Sequence, residues 1–573
     1  MSLQRLLEPR SIAIVGASPE PKKIPGMIID FLRKSGFPGK VYAVNPRYEK
    51  IHDYPCYPNV DALPETPDLV VVVIPVAVAF DAVEAASRRG VPFCLLMSGG
   101  FGEGRTGEAG RARHVRLLKL CRESGMHVVG PNTVGMVNFL HKMPLTFADW
   151  YGRDTGQRGG VAIVTHSGSV GGLIFSSLQL NRIGVDYWIG LGNEATLETA
   201  DFISHFSSVP GVHTVVCYME GVQNGRNFMA AAEKARQAGK RVVLVKAGDN
   251  PESVRSTLSH TGKNPSSGSV YAGALRQSGV VQVHSLAELA YVMTLITACG
   301  DRLGDKVGIM SASGGANSLI ADHVINAGLQ LPEMPPDLQE KLNAGIPEYG
   351  SSQNPVDLSA DVISRPEILH STLELLRHDP TVDVWMVFGR PVIDRYAQSL
   401  IDFARTSPKA LVVCCGVPLT PETHALLLDN GIAVLPDPEL CLRALASIRR
   451  VALPAGPALN IEPVELEASL SSPMLSVTLE KDRDFGDILS LSAAAAFGAR
   501  QRRVVRALPV SCLDLEDAVR ELAALEGGLP AAPEEIIAAL YSLTRLHAGE
   551  PVDITLTVEA GRVKRCANVR SAA

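Results

Sequence analysis

The sequence predicts an α/β protein: three consecutive doubly wound domains followed by a small α+β piece. Three observations carry this. Short β-branched runs alternate with amphipathic stretches over about the first 450 residues, the mark of parallel sheets with helical crossovers. The runs are apolar throughout, as strands buried on both faces must be. The rhythm also restarts three times with an apolar strand, a Gly/Ser turn and a helix, at IAIVGAS (12–18), VAIVTHSGSVGG (161–172) and VGIMSASGGANS (307–318).

In chain order, the predicted strands are Ile12–Val15, Val41–Val44, Leu69–Ile74, Phe93–Met97, His127–Val129, Val161–Thr165, Thr214–Tyr218, Arg241–Lys246, Lys306–Met310, Val384–Phe388 and Ala410–Cys414. Helices are expected over Val83–Arg89, Gly107–Ser124, Phe228–Ala238 and Ala287–Ala298, where apolar residues recur at helical spacing. The polar, glycine-rich WYGRDTGQRGG (150–160) reads as a linker. LPAGPALNIEPVELE (453–467), with Pro454, Pro457 and Pro463, ends the third unit. The remainder has weak strands, alanine runs and a helix near Pro533–His547. The expected domains are 1–150, 151–304, 305–455 and 466–573.

Composition narrows the function classes. Of the 573 residues 46% are hydrophobic and 20% charged, and the net charge is −6, so no basic field exists to hold nucleic acid or an anionic membrane. The longest apolar run, Leu69–Phe80, is broken by Pro75 and is shorter than the ~20 residues a bilayer span needs. The N-terminal MSLQRLLEPR lacks a signal-peptide core. The ten cysteines form no C-x-x-C pair, which argues against structural zinc and a disulfide framework. A cytoplasmic protein with no nucleic-acid or membrane partner is expected.

Gly16–Ala17–Ser18 follows the first strand, where backbone N–H groups can face an anion at a helix N-terminus. The dinucleotide fingerprint needs two further glycines and an acidic residue on the ribose. Here only Gly16 is present, and the second strand ends Val44–Asn45–Pro46–Arg47. Arg47 suits a ribose phosphate, so coenzyme A fits better than NAD; an ordinary turn without ligand stays open. Thr165–His166–Ser167–Gly168–Ser169 and Ser311–Ala312–Ser313–Gly314–Gly315 also sit where a strand hands over to a helix. Neither contains G-x-S-x-G, which removes a serine-nucleophile reading. They are either structural turns or two halves of an anion site.

His260 lies in a polar stretch, Ser256–Gly262, on no apolar face that would require it. A neutral imidazole is a competent nucleophile toward phosphoryl groups, and the two helix ends would receive the phosphorylated ring. Glu220 ends a strand, at the sheet edge where open α/β sheets bind ligands, and can orient that imidazole. A solvated loop histidine and an exposed strand-end carboxylate are the alternatives.

Taken together, the motifs resemble the NDP-forming acid–CoA ligases, relatives of succinyl-CoA synthetase. The matching stretches include SIAIVGAS (11–18), VYAVNPR (41–47), SGGFGEG (98–104), GPNTVGMVN (130–138), THSGSVGG (165–172), GLGNEATLETAD (190–201), YMEGV (218–222), SHTG (259–262), SASGGANSLIAD (311–322) and NPVDL (354–358), in family order. The resemblance implies a Rossmann-like CoA-binding domain and two flavodoxin-like ligase domains. It implies phosphorylation of His260, support by Glu220, and phosphate binding at the helix ends Ser167–Gly168 and Ser313–Gly314–Gly315. It maps the CoA site to Gly16, Ala17, Ser18, Asn45, Arg47, Ile74, Pro75 and Asn132.

Three departures stand out. His166 stands where the family usually has Gln, and Thr133 where succinyl-CoA synthetase has Cys. The C-terminal piece resembles only half of an ATP-grasp module: LEKDRDFGDIL (479–489) looks like the start of its second lobe. Ala493–Ala496 replaces its glycine-rich segment, and Asp553–Leu556 its metal-binding D-x-N-P. No metal site is therefore expected in this chain. ATP/ADP and Mg are expected on a separate ATP-grasp subunit, with that complex, a homo-oligomer, or both as the assembly. The implied reaction joins a carboxylic acid to CoA through phosphohistidine and an acyl phosphate; the alternative is an inactive CoA-binding regulatory or scaffold paralogue. Trp188 and Leu191 near the pocket loops favour a non-dicarboxylic acid.

Overall fold

The computed structural model describes residues 2–152, 159–248, 268–451, 468–469, 475–493, 503–526, 533–547, 551–559 and 562–566. Four sheets organise them. The first contains β1 (Ser11–Val15), β2 (Lys40–Val44), β3 (Lys50–Ile51), β4 (Tyr54–Tyr57), β5 (Leu69–Val72), β6 (Phe93–Leu96) and β7 (His127–Val129), in the order β3-β4-β2-β1-β5-β6-β7. From β4 to β7 neighbours run parallel, so β1, β2, β5 and β6 all end on one edge. Every residue of β1, β5 and β6 is buried, which accounts for the unbroken apolar runs.

The second sheet contains β8 (Gly135–Asn138), β9 (Met143–Thr146), β10 (Val161–Thr165), β11 (Val185–Gly190), β12 (Thr214–Met219), β13 (Arg241–Lys246) and β14 (Val280–Val283), in the order β14-β13-β12-β10-β11-β8-β9. Its five core strands are parallel, and β8 and β9 extend the edge antiparallel. Residues 135–146, which precede the Trp150–Gly160 segment, thus complete the second sheet. Their side chains Met136, Met143 and Leu145 join one apolar cluster with Ile12 and Val71 of the first sheet and Val164 and Ile189 of the second. The two units share a core.

The third sheet, β15 (Val307–Ser311), β16 (Val356–Asp357), β17 (Val384–Phe388), β18 (Ala410–Cys414) and β19 (Ala433–Leu435), is wholly parallel in the order β16-β15-β17-β18-β19. The fourth consists of β20 (Ala468–Ser469), β21 (Leu475–Asp482), β22 (Gly486–Ala493), β23 (Val504–Ala507), β24 (Val552–Glu559) and β25 (Arg562–Cys566), in the order β20-β25-β24-β21-β22-β23. All its pairings but β20–β25 are antiparallel. Leu475, Val477 and Leu479, alternating along β21, pack on the helices Cys512–Glu526 and Pro533–Leu546. The expected classes, three doubly wound units and a small α+β piece, are those observed.

In the first three sheets, β3, β4, β8, β9, β11, β14, β16 and β19 were not among the strands predicted, although β11 is entirely buried. No helix among the described residues is long and apolar enough to cross a membrane.

Candidate functional site

Two carboxyl edges meet. On the first sheet, Gly16 leaves β1 with φ +94°, and its amide donates to the Val44 carbonyl at 2.9 Å. A Cβ there would lie 2.5 Å from Ile74 Cγ2 and 2.7 Å from the Val73 carbonyl oxygen, so only glycine fits. Asn45 Nδ2 donates to the Ala17 carbonyl at 2.8 Å, and its Oδ1 accepts from the Arg47 amide at 3.0 Å. This ties the Gly16–Ser18 turn to the Asn45–Arg47 turn. Ala17 and Ser18 are buried, Ile74 is half-buried, and Pro75 and Arg47 are exposed. Arg47 and Lys22 are exposed, and Lys23 Nζ pairs with Glu20 Oε1 at 2.7 Å. Asn132 is exposed, with φ +63°.

On the second sheet, the edge is formed where β10, β11 and β12 end. Ser167 caps the helix Gly168–Leu180, its hydroxyl accepting from the Val170 amide. A Cβ at Gly168 would meet Val134 Cγ2 at 1.9 Å, so glycine lets the helix end seat close to the chain that leaves the first sheet. Immediately before this cap, His166 is buried. Its Nδ1 accepts the Glu220 backbone N–H at 3.2 Å, which assigns the ring proton to Nε2. Nε2 lies 3.0 Å from Glu194 Oε1 and 3.2 Å from Thr199 Oγ1. The same Glu194 oxygen accepts from the Thr199 amide at 2.8 Å and hydroxyl at 2.7 Å. Glu194 is itself buried, at φ +54°, a conformation non-glycine residues seldom adopt.

A second set of hydrogen bonds, from the neighbouring Asn193, reaches the first sheet. Asn193 Nδ2 donates to Glu103 Oε2 at 2.9 Å, and Asn193 Oδ1 accepts from Asn132 Nδ2 at 3.3 Å. Glu103 holds the SGGFGEG loop by accepting from the amides of Gly100 and Phe101. The Ala195 and Asn193 amides donate to the carbonyls of Gly130 and Pro131. Nearby, burial pushes the Glu198 carboxyl up, and the charge of Glu194 acts in the same direction.

Glu220 is buried, not the exposed strand-end carboxylate of the alternative reading. Ser313 caps the helix Gly314–Asn326, and Ser313, Gly314 and Gly315 are exposed at the carboxyl edge of the third sheet. A Cβ on Gly314 would lie 3.1 Å from Asp357 Oδ2. His260 and its S-H-T-G stretch lie outside the described residues, as do Ala494–Ala496. Asp553–Leu556 lie in β24, paired with residues 475–478 of β21.

One expectation is corrected. Trp188 and Leu191 have no exposed surface and belong to the cores. Trp188 packs against Trp150 at 5.2 Å between ring centroids and cannot shape an acid pocket from its place in the core. Asn193, Glu194 and Thr199 lie in the GLGNEATLETAD stretch and Glu103 in SGGFGEG, both singled out in the sequence, but none of the four was assigned a role. The available signal was an Asn–Glu pair in a glycine turn directly after a strand.

Known protein families match parts of the first three units. Residues 10–138 match a CoA binding domain, residues 158–296 a succinyl-CoA ligase like flavodoxin domain, and residues 307–393 a Ligase-CoA domain. The alpha subunit of ADP-forming acetate–CoA ligase I from Pyrococcus furiosus is 30% identical over 464 residues, covering 78% of this chain and 97% of that subunit. An ADP-forming acetate–CoA ligase I from Archaeoglobus fulgidus is 31% identical over 453 residues, and the match spans 63% of its length. A dinucleotide-forming acetyl-coenzyme A synthetase 1 from Ca. Korarchaeum cryptofilum, solved with phosphate and ADP, superposes with a TM-score of 0.70 at 26% identity, covering 79% of this chain and 97% of its own. The chain belongs to the NDP-forming acid–CoA ligase family.

Proposed function

We propose that this chain is the thioester-forming component of an NDP-forming acid–CoA ligase, acting with a separate subunit that supplies the nucleotide half-reaction. The observation that carries the reading is the hydrogen-bonded continuity from Asn132, at the CoA edge, through Asn193 to Glu103, and from the adjacent Glu194 through His166 to the Glu220 amide. This continuity supports reading the coenzyme edge and the helix end at Ser167 as parts of one site. The similarity to alpha subunits supports a partner that carries the nucleotide. Nine described cysteines are unpaired, which fits the cytoplasm.

In this reading His260 carries the phosphoryl group and Glu220 orients its ring. The N–P bond breaks as a carboxylate oxygen of the acid bonds to phosphorus. The CoA sulfur then bonds to the acyl carbon, the C–O bond to phosphate breaks, and thioester and inorganic phosphate leave. Ser167–Gly168 and Ser313–Gly315 offer N–H groups to the phosphate, so catalysis is chiefly positioning and charge stabilisation. Gly16–Ser18, Asn45, Arg47, Ile74–Pro75 and Asn132 hold CoA. The acid is a carboxylate of undetermined body.

The reverse half-reaction needs no nucleotide and tests the chain alone. Wild-type protein incubated with an acyl-CoA panel and labelled phosphate is expected to acquire an acid-labile, base-stable label. His260→Ala is expected to acquire none while still binding CoA. A His260→Ala variant labelled as well as wild type refutes the mechanism.

A further inference from the structure

The C-terminal lobe lies beyond residue 393, where the last matched family domain ends, and its role is open. It grips two segments of the second unit. One is residues 222–229, directly after Glu220. The other is the helix Gly268–Gln277, which begins where the segment 249–267 containing His260 ends.

The β21–β22 turn makes the first grip. Phe485 has no exposed surface and meets Tyr271 edge-on, with ring centroids 5.0 Å apart. Tyr271 Oη donates to Asp484 Oδ2 at 3.1 Å and accepts from the Val222 amide at 3.0 Å. The Asp484 carbonyl accepts from the Gly225 amide at 2.8 Å, and the Asp487 carbonyl from Arg226 Nη2 at 3.1 Å. Lys246 Nζ also lies over the Tyr271 ring, 4.5 Å from its centroid. Lys246 ends β13, three residues before the segment 249–267 begins.

The second grip runs along the helix Gly268–Gln277. Gln277 exchanges two hydrogen bonds with the Ala507 backbone, at 3.1 and 2.9 Å. Arg276 makes a two-bond pair with Asp517 at 2.8 and 2.7 Å, and Asp517 also receives the buried Arg506 at 2.6 Å. Two glycines mark where lobe and helix backbones touch. A Cβ on Gly225 would lie 2.5 Å from the Asp484 carbonyl oxygen, and one on Gly273 2.0 Å from that of Val505. A helix-interior glycine is unfavourable relative to alanine, so the position of Gly273 is explained by what it admits.

We infer that the C-terminal lobe is an intrachain brace: through Tyr271, Asp484 and Phe485 it fixes both chain roots of the 249–267 segment and the turn after Glu220, making these three positioning residues for phosphoryl transfer through His260. The inference rests on the ligase reading above. It assigns the lobe a task that needs no nucleotide.

The test uses the full chain and labelled phosphate with the acyl-CoA that labels wild type fastest. Phe485→Ala and Tyr271→Phe are expected to slow single-turnover labelling on the order of tenfold to a hundredfold, the range that a displaced reacting group costs. CoA affinity should be unchanged, because the CoA edge lies on the first sheet. Phe485→Leu, which keeps an apolar anchor, should recover most of the rate. Tyr271→Phe removes one hydroxyl only, so it reports even where Phe485→Ala unfolds the lobe. Labelling at the wild-type rate in Tyr271→Phe and Phe485→Ala, with His260→Ala unlabelled, overturns the brace and leaves the ligase. A labelled His260→Ala overturns both.

Discussion

Replacing His166 separates hydrogen-bond geometry from imidazole chemistry. The ring accepts one buried N–H, from Glu220, and donates one proton to the buried Glu194 carboxylate. His166→Leu removes both at once. Each buried group left without its partner costs about 1–3 kcal/mol, more when it is charged, so the loss is about 2–6 kcal/mol. Glu194 keeps its two bonds from Thr199, which favours the lower part of that range. His166→Gln retains an acceptor and a donor about as far apart as the two ring nitrogens and should cost under about 1 kcal/mol. Urea denaturation reads the stability, and single-turnover phosphate labelling reads the placement of Glu220. The expected order is wild type close to Gln, with Leu far below on both scales. Equal tolerance of Leu and Gln would refute a structural role for these two hydrogen bonds, and a Gln variant as damaged as Leu would show that the ring itself is needed.

Two further outcomes test the first unit. Arg47→Ala should weaken CoA roughly ten- to a hundredfold, the worth of a charge-assisted contact, while dephospho-CoA should lose far less; calorimetry with both ligands distinguishes them, and equal losses remove the ribose-phosphate role. Asp68 is buried beneath Arg5, which bonds it at 3.1 and 2.5 Å, and the Arg10 amide at 2.9 Å. Burial pushes this carboxyl up, and the Arg5 and Arg10 bonds more than offset it, so the folded value lies below the ordinary one. The pair therefore stabilises fully above about pH 4 and is lost as pH falls through the lower folded value. Asp68→Asn should lower stability by about 1–2 kcal/mol at pH 7, allowing for the exposure of Arg5. That deficit should shrink on acidification; one that grows would reverse the sign.

Strands buried on both faces were the legible part of this fold, because continuous Val/Ile runs such as IAIV and VVLV admit few other readings. β8 and β9 were not, since GMVN and MPLT are short, and Pro144 speaks against a strand that is not at an edge; β9 is the edge. β11 hides its character in DYW, polar and aromatic at once. The turn at Gly16 and the helix caps Ser167 and Ser313 were readable from residue type and position. The Glu194–His166–Glu220 path was not, because it depends on which of several polar loop residues turn inward, and loop sequence carries no period. Trp188 shows the same limit from the other side: an aromatic beside a site loop looked like a pocket wall and proved to be core.

The D-R-D-F-G-D stretch of the lobe resembled the opening of a nucleotide-binding half-module, yet its side chains are committed elsewhere. Asp482 Oδ1 accepts from the amides of Asp484 and Phe485 and so shapes the turn. Asp484 takes the Tyr271 hydroxyl, and Phe485 fills a pocket with Val270, Ala274 and Val505. At the far end of the same contact, Asp517, which pairs with Arg276 of the second unit, also bonds Arg506, about 1% exposed and held as well by Glu521. Removing one partner of such a buried group typically costs about 3–5 kcal/mol. The lobe is thus bound to the second unit by apolar burial and by ions that cannot part cheaply. A surface so occupied is a structural joint, and what it holds is the turn after Glu220 and the helix Gly268–Gln277.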